Sequence, residues 1–476
     1  MKKAEEKKEM AKSIILIFLF LMTLFFSWQL YFDDLYGGST KPSTVREVES
    51  LIPGKIETWI SPKRTIVHFS EDDHGIFYDT KKYPFWTYAL KYLKDQNISE
   101  EYKLTNVSKE TADKFKSDFS VTFEFNYLLN NLLFTEIFNI SNIDLNKYDK
   151  FEFSKMTLLV TEGSILFEND EDSYVLKIGG EDIESIRRLA NQVIDDGYIR
   201  YYPGVFIGSE NEIYSPISMN QKTGDLYSKQ NLNVNDDKSI DIFASRFFSQ
   251  PIEMIRKIED SEKNRIYMYE HSQLIVSSDG ISKYYNTINE KVNSRQFINS
   301  IKAAARFILE KEEKTEDTFL DKYIHIVDER GNLGYRFFIN STYDSVPLLM
   351  HKDGNTIIYP YVIDVYGEVV QNYTRYVRNK SIKELPKIGI IEKKKLTPLE
   401  VIELNVNRIE ELYNYTENKE ENRVVSLNNI QKIVYSYYDN CTDEKLIPIW
   451  IIEFENVNYA FDMYTGQILF KQVLKK

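Results

Sequence analysis

The sequence predicts an α+β protein with one N-terminal transmembrane helix, followed by several exported units in which helix packs on antiparallel sheet. An uncharged apolar run near the N-terminus predicts the transmembrane helix. The 34 tyrosines and 29 phenylalanines, against only 18 glycines, favour half-buried strands. Amphipathic helix patterns precede groups of strand patterns along the rest of the chain. With 476 residues, of which 42% are hydrophobic and 28% charged, the chain should form two or three folded units.

The first predicted element is a membrane-spanning helix at residues 13–32. Its sequence, SIILIFLFLMTLFFSWQLYF, carries no charge over about 20 residues, the length that a helix needs to cross the hydrocarbon core. Five lysines precede this run and two aspartates follow it, namely Lys2, Lys3, Lys7, Lys8, Lys12, Asp33 and Asp34. The positive-inside rule therefore places residues 1–12 in the cytoplasm and the bulk of the chain outside the cell. The alternative is a cleaved signal peptide, but YFDDLYGGST contains no A-x-A-like cleavage site, which favours a retained anchor.

Two hydroxyl residues of this helix are candidate partner-binding positions. Thr23 and Ser27 are four residues apart and lie on one helical face. Such a pair of small residues lets a second membrane helix approach closely. The alternative is a neutral pair that faces lipid, and the sequence leaves both open.

The exported part is predicted to contain an N-terminal α+β domain at residues 43–200, a central α+β domain at 201–380 and a C-terminal domain at 395–476. In the first domain, TIVHF reads as a strand and FNYLLNNLLFTEIF as a helix. In the central domain, IFASRFFS and QFINSIKAAARFILEK are predicted helices, each followed by strands. A lysine-rich connector that contains Pro386 separates the central domain from the last one.

The C-terminal domain is predicted to be one helix on a meander of antiparallel strands. Thr397, Pro398 and Glu400 supply an N-cap, a proline at the first helical position and an acid three residues after the cap, as in a capping box. Behind this start, IQKIVYSYY, LIPIWIIEF, VNYAFDMY and GQILFKQV read as successive strands.

Motifs for the common enzyme chemistries are missing from the sequence. It contains neither H-E-x-x-H nor C-x-x-C for zinc, and neither G-x-S-x-G nor S-x-x-K for a serine nucleophile. It also lacks the glycine-rich loops that hold nucleotide phosphates. The formal charge of -13 argues against nucleic acid as a partner. We therefore expect no catalytic residues, no cofactor and no metal, and a protein that is not an enzyme.

The residues that could carry chemistry each have a structural interpretation as well. The cluster EDDHG at 71–75 could bind a cation, but its contiguity favours a hairpin turn. His68 lies within a predicted strand, where a core or edge histidine is expected. Trp450 is flanked by isoleucines, which favours the core over a stacking role. Neighbouring acids disfavour a reactive thiolate at Cys441.

Several segments resemble the YycH family, membrane-anchored accessory regulators of the WalK/WalR two-component system. They are PGKIETWISPKRTIVHF, IFASRFFS with YMYEHSQLIVSSDGISKYYN, and IPIWIIEFENVNYAFDMYTGQI, the last of which also resembles YycI-type domains. The resemblance implies three exported domains without known catalytic residues. It also implies that the membrane helix contacts a sensor histidine kinase and a YycI-like companion protein.

The leading hypothesis is therefore a membrane-anchored regulator that modulates a wall-sensing histidine kinase through its transmembrane helix and exported domains. The rival is an exported binding or inhibitory module that acts on a wall hydrolase or protease, with the helix only a tether. A third hypothesis, a wall-modifying enzyme, requires converging carboxylates in a cleft, and no motif indicates it.

Overall fold

The computed structural model describes residues 19, 22–23, 45–78, 81–95, 104–140, 151–178, 183–219, 226–227, 232–312, 318–343, 345–352, 356–376, 383–384, 394–410, 427–441 and 445–474. Over these residues the protein is α+β and its sheets are almost entirely antiparallel, which confirms the predicted class at that level. Helices pack on the sheets throughout, because their apolar faces and the apolar faces of the strands bury each other.

The predicted membrane span at 13–32 lies outside these residues except for Leu19, Met22 and Thr23, which are helical. The hydroxyl of Thr23 donates a hydrogen bond to the carbonyl oxygen of Leu19, 2.8 Å away. Ser27 is outside the part of the chain that the structure describes. Across that part, no helix combines the length and the apolar character that crossing a membrane requires.

The first unit is a nine-stranded antiparallel sheet with five helices among the described residues. Its helices are α1 (Val45–Ile60), α2 (Phe85–Asp95), α3 (Lys109–Lys116), α4 (Asn131–Ile137) and α5 (Glu184–Asp196). Its strands are β1 (Arg64–Ser70), β2 (Asp73–Phe77), β3 (Leu104–Val107), β4 (Ser120–Asn130), β5 (Glu152–Leu159), β6 (Ser164–Glu168), β7 (Ser173–Lys177), β8 (Arg200–Pro203) and β9 (Tyr214–Pro216). Their order is β3-β7-β6-β5-β4-β1-β2-β8-β9, so the sheet extends past residue 200.

The helix predicted for FNYLLNNLLFTEIF is wrong in its first half. Residues up to Asn130 continue β4, and α4 begins only at Asn131. The side chain of Asn130 accepts a hydrogen bond from the backbone N–H of Leu133 at 2.8 Å and so caps α4. Strand β4 pairs with β1 and β5 as far as Glu124 and with β5 again at Leu129 and Asn130, and Phe123 and Phe125 are buried along it. This pairing and burial outweigh the local helical spacing.

The central unit contains α6 (Asp237–Ala244), α7 (Phe297–Lys311) and a run of short and long strands. The strands are β10 (Leu226–Tyr227), β11 (Arg256–Glu259), β12 (Arg265–Tyr269), β13 (Ser272–Val276), β14 (Ile281–Tyr285), β15 (Thr318–Val327), β16 (Leu333–Tyr343), β17 (Val346–Lys352), β18 (Thr356–Ile358), β19 (Tyr361–Tyr366), β20 (Val369–Tyr376) and β21 (Lys383–Glu384). The predicted helices IFASRFFS and QFINSIKAAARFILEK correspond to α6 and α7, although α6 ends within the first of these segments, at Ala244.

The C-terminal unit is one helix on a four-stranded meander, as predicted. It comprises α8 (Pro398–Glu410), β22 (Ile430–Asp439), β23 (Lys445–Phe454), β24 (Val457–Asp462) and β25 (Ile468–Val473). The capping box is confirmed, because the N–H of Thr397 donates to Glu400 Oε2 at 2.7 Å and the N–H of Glu400 donates to Thr397 Oγ1 at 3.3 Å. Trp450 is buried, and its indole N–H donates to the carbonyl oxygen of Leu396 at 2.9 Å, which confirms its structural role.

Strand pairing and shared cores connect the three units. Strand β17 pairs with β16 of its own unit and, in parallel, with β22 of the C-terminal unit. The short strand β10 pairs with β23. The largest apolar core continues from α1 and the first sheet into α7 and the central sheet. These contacts bring residues of β1, β4, β15 and β22 to one place, where a cleft forms.

Candidate binding cleft between the three units

A bulge in β4 shapes one wall of the cleft. Glu124 faces Lys155 of β5, but the next paired residue of β4 is Leu129, which faces Phe153. Four residues of β4, 125–128, therefore stand against the single residue Ser154. A bulge of this kind bends its strand and redirects its side chains, here towards β15 of the central unit.

The junction cleft has a volume of about 580 Å³ and is lined by strands from all three units. This volume lies within the range of pockets that hold drug-sized ligands. Its cationic residues are Lys63, Arg64, Lys322 and Lys432. Its acidic residues are Glu124, Asp170, Asp321 and Glu453. Its apolar walls include Leu128, Phe319, Leu348, Ile357 and Phe470.

A buried ion pair joins the first unit to the C-terminal unit at the cleft. Arg64 donates from Nε to Glu124 Oε2 and from Nη2 to Glu124 Oε1, the second at 3.1 Å. Its Nη1 donates to the carbonyl oxygen of Ile433 on β22, 2.8 Å away. Burial opposes ionisation of Glu124, but Arg64 and then Lys432 hold the pKa of its carboxyl well below the usual range. Glu124 is therefore charged at neutral pH, and Arg64 and Glu124 each have hydrogen-bond partners.

Lys63 is a half-buried amine in the cleft that has no acidic partner within salt-bridge distance among the described residues. Its Nζ lies 4.3 Å from the ring centroid of Phe319. Burial lowers the pKa of Lys63 to about 7, with Asp321 opposing the shift and Lys55 adding to it. At neutral pH a large fraction of Lys63 side chains is thus uncharged, and a carboxylate nearby would restore the proton.

Asp321 and Lys322 line the cleft from β15. Asp321 Oδ1 accepts a hydrogen bond from the side-chain amide of Asn126 in the β4 bulge at 3.0 Å. Burial raises the pKa of Asp321, although hydrogen bonding with Tyr359 and the nearby lysine charges oppose the shift. Lys322 Nζ lies 4.8 Å from the ring centroid of Phe338, a cation–π contact.

Two buried polar atoms of the cleft have no hydrogen-bond partner among the described residues. They are the hydroxyl of Tyr127 in the β4 bulge and Oδ1 of Asn458 on β24. Buried polar atoms in native proteins almost always form a hydrogen bond, so two atoms in one cleft without such a bond call for an explanation. A bound molecule that supplies hydrogen bonds at these points is one such explanation. The cleft as a whole therefore presents donors, acceptors and apolar groups to a molecule that enters it.

A second polar cluster lies on the first sheet, where His68 and His74 face each other across β1 and β2. Their Nδ1 atoms are 3.0 Å apart and share a hydrogen bond, and His68 Nε2 is 2.9 Å from Thr122 Oγ1. His68 is buried and satisfied, which confirms the predicted core role. The predicted hairpin turn is confirmed at Glu71 and Asp72, whereas the rest of the EDDHG cluster belongs to β2.

Sequence reasoning did not find the junction cleft. Its residues come from strands far apart in the chain, and the candidate residues chosen from the sequence, Thr23 and Ser27, lie in the N-terminal segment. The available signal was the position of charge, because Arg64 begins β1 and Glu124 lies between two phenylalanines in β4. Buried strand positions seldom hold a charge unless it is paired.

Cys441 lies in the turn after β22, where its N–H donates to Asp439 Oδ1 at 2.7 Å.

Comparisons with known proteins find little similarity. No family model matches the chain, and no curated protein matches it. A search of solved structures finds the C-terminal domain of YpeB from Bacillus megaterium, at 11% sequence identity and a TM-score of 0.25. The match covers 51% of this chain and 98% of that domain. A likeness of this size gives no information on function.

Proposed function

We propose that this protein is a membrane-anchored regulator that binds partners outside the cytoplasm and modulates a sensor histidine kinase. The observation that carries the binding role is the junction cleft, in which two buried polar atoms lack partners among the described residues. A ligand in this cleft would touch all three units at once. It could therefore change how the units are held together, which is what a regulator needs in order to pass on a signal.

The anchoring part of the proposal rests on the sequence of residues 13–32 and its flanking charges. In this proposal the helix packs beside the transmembrane helices of the kinase and of a YycI-like companion, with Thr23 and Ser27 at the contact. The hydroxyl of Thr23 bonds within its own chain, to Leu19, which suits close packing against an apolar neighbour. The partners are thus the kinase, the companion protein and the lipid bilayer, and the main body faces the outside of the cell.

The test replaces residues 13–32 with an unrelated apolar helix of equal length and keeps the flanking lysines and aspartates. Kinase output is measured with a transcriptional reporter in a Gram-positive host that lacks its own copy of the protein. We expect regulation to be lost while the protein stays in the membrane fraction, because the specific helix contacts are gone. A double variant, Thr23→Ala with Ser27→Ala, tests whether the helix face that carries these two residues contacts the kinase. Unchanged kinase output in the helix replacement would contradict the proposal.

A second candidate function is an exported binding module in which the helix only tethers. The observation in its favour is β15, which pairs with β16 alone among the described strands. Ile324 and Val327 on this strand are 42% and 59% exposed. An edge strand with exposed apolar side chains can accept an extended segment of a partner. Full activity of a soluble fragment that starts at Ser43 would favour this function over kinase regulation.

A further inference from the structure

The junction cleft has a composition that restricts what it can bind. Four acidic residues line it beside four cationic ones, and Glu124 is already paired with Arg64. A polyanion such as a chain of phosphates would meet these acids at close range. Two lysines, Lys63 and Lys322, contact aromatic rings, and neither has a carboxylate within salt-bridge distance among the described residues. These lysines can receive an isolated carboxylate, whereas the acids beside them would repel a dense anion.

The two buried atoms without a hydrogen-bond partner among the described residues indicate which other groups the ligand carries. Asn458 Oδ1 can only accept a hydrogen bond, so it requires an N–H or O–H donor. The hydroxyl of Tyr127 can donate or accept. The walls also present apolar side chains, including Leu128 and Phe319, against which aliphatic groups would be buried. A peptide segment combines these groups, because it offers a side-chain carboxylate, backbone N–H donors and apolar side chains.

We propose that the junction cleft binds an extended acidic peptide segment of a partner, with its carboxylate against Lys63 and a backbone N–H donated to Asn458 Oδ1. This inference rests on the proposed function, in which the cleft receives a partner. It adds the chemical class of that partner. Apolar side chains of the segment lie against Leu128 and Phe319, which line the cleft from β4 and β15.

Binding of a carboxylate should be coupled to protonation of Lys63. Two charged groups act on this amine: Asp321 on β15, which raises its pKa, and Lys55 on α1, which lowers it. The Arg64–Glu124 pair on β1 and β4 lines the same cleft, and its two charges compensate each other. Because burial leaves Lys63 partly neutral near pH 7, the peptide should bind with uptake of a proton. Affinity should therefore fall as the pH rises from 6 to 9.

The experiment uses the full-length chain in mild detergent and two pools of fluorescein-labelled hexapeptides with acetylated and amidated ends. Both pools carry mixed apolar residues, and the third position is glutamate in one pool and glutamine in the other. Fluorescence anisotropy should show at least about tenfold tighter binding of the glutamate pool at pH 6.5, because a charge-assisted bond to Lys63 is lost in the other pool. Isothermal titration in two buffers of different ionisation enthalpy should show proton uptake at pH 7.5.

Variants locate the site. Lys63→Met should abolish the preference for glutamate, and Asn458→Ala should weaken both pools. Lys302→Met, at an exposed position on α7, should leave binding unchanged. Thermal unfolding of each variant establishes that it is folded. Equal binding of the two pools, a glutamate preference that survives in Lys63→Met, or stronger binding of tripolyphosphate would overturn the inference.

The experiments distinguish failure of the proposed kinase regulation from failure of the proposed peptide binding. If replacing residues 13–32 abolishes regulation and neither peptide pool binds, the peptide inference falls and kinase regulation stands. If the replacement leaves kinase output unchanged but the glutamate pool binds through Lys63, the cleft is a peptide site in a protein that acts by another route.

Discussion

Arg64 and Glu124 face each other across β1 and β4, and the arginine also donates to the carbonyl oxygen of Ile433 on β22, a residue 369 positions further along the chain. One side chain thereby links the first sheet to the C-terminal unit. Both members of the pair are buried. Removing one member of such a pair leaves an uncompensated charge in the interior, which is far more costly than removing both.

Replacing Arg64 with methionine should lower the free energy of unfolding by about 3–5 kcal/mol, because Glu124 keeps a buried charge without its main partner. Urea denaturation at pH 7 measures this loss. The double variant Arg64→Met, Glu124→Leu should lose clearly less than the single variant. If the double variant is the less stable of the two, the pair does not act as we describe.

The same pair should make stability fall in acid. The folded state depresses the pKa of Glu124, whereas the unfolded chain has a value of about 4.3. The unfolded state therefore binds more protons below that pH, and the stabilisation, complete above about pH 5, is lost as the pH falls. Urea titrations between pH 5 and pH 3 should show a smaller pH-dependent loss in Arg64→Met than in the wild type. Parallel curves for the two proteins would argue against the shift.

Lys63 should react with acylating reagents faster than ordinary surface lysines at neutral pH. Burial lowers its pKa to about 7, so much of the amine is nucleophilic where ordinary lysines, with a pKa of about 10.4, are protonated. Limited acetylation by an N-hydroxysuccinimide ester at pH 7, followed by peptide mass spectrometry, gives the rates. We expect Lys63 to react about tenfold or more faster than the exposed Lys302. Similar rates would show that the amine keeps an ordinary pKa or is inaccessible.

The histidine pair should destabilise the fold in mild acid. Burial lowers the pKa of His74 to about 4 and that of His68 well below its usual value, and the charge of His74 adds to the shift of His68. Both are depressed relative to the unfolded state, so their contribution is complete above about pH 6.5 and is lost as the pH falls towards 4. His74→Gln should reduce the drop in melting temperature between pH 7 and pH 4.5. His271→Gln, at an exposed hairpin position, is the matched control and should not change it.

Removing the capping hydroxyl of α8 should cost about 1 kcal/mol of unfolding free energy, the usual effect of losing an N-cap. The variant is Thr397→Ala, because Thr397 Oγ1 accepts the N–H of Glu400 at 3.3 Å. Thr397→Ser keeps the oxygen and should stay near wild type in urea denaturation. A serine variant as unstable as the alanine variant would point to the lost methyl group instead.

Elements with a strong local signal were predictable. The capping box marks where α8 begins, and alternating apolar residues mark β22 to β25. The buried face of α7 follows from the spacing of Phe297, Ile301, Ala305 and Ile308. Residues 125–130 were not predictable, since their spacing is helical while the pairing of Leu129 and Asn130 with β5 and the Asn130 cap decide their conformation. Local propensity yields to tertiary pairing when that pairing buries more apolar surface.

By itself the sequence determined the α+β class and the helix-plus-meander architecture of the C-terminal unit, because periodicity and capping act between residues close in the chain. It also carries the apolar run at 13–32 that predicts a membrane anchor. Only the tertiary structure placed Lys63, Asp321 and Asn458 around one cleft. These residues are more than a hundred positions apart in the sequence, and their meeting depends on how the sheets pair and pack, which no local pattern encodes.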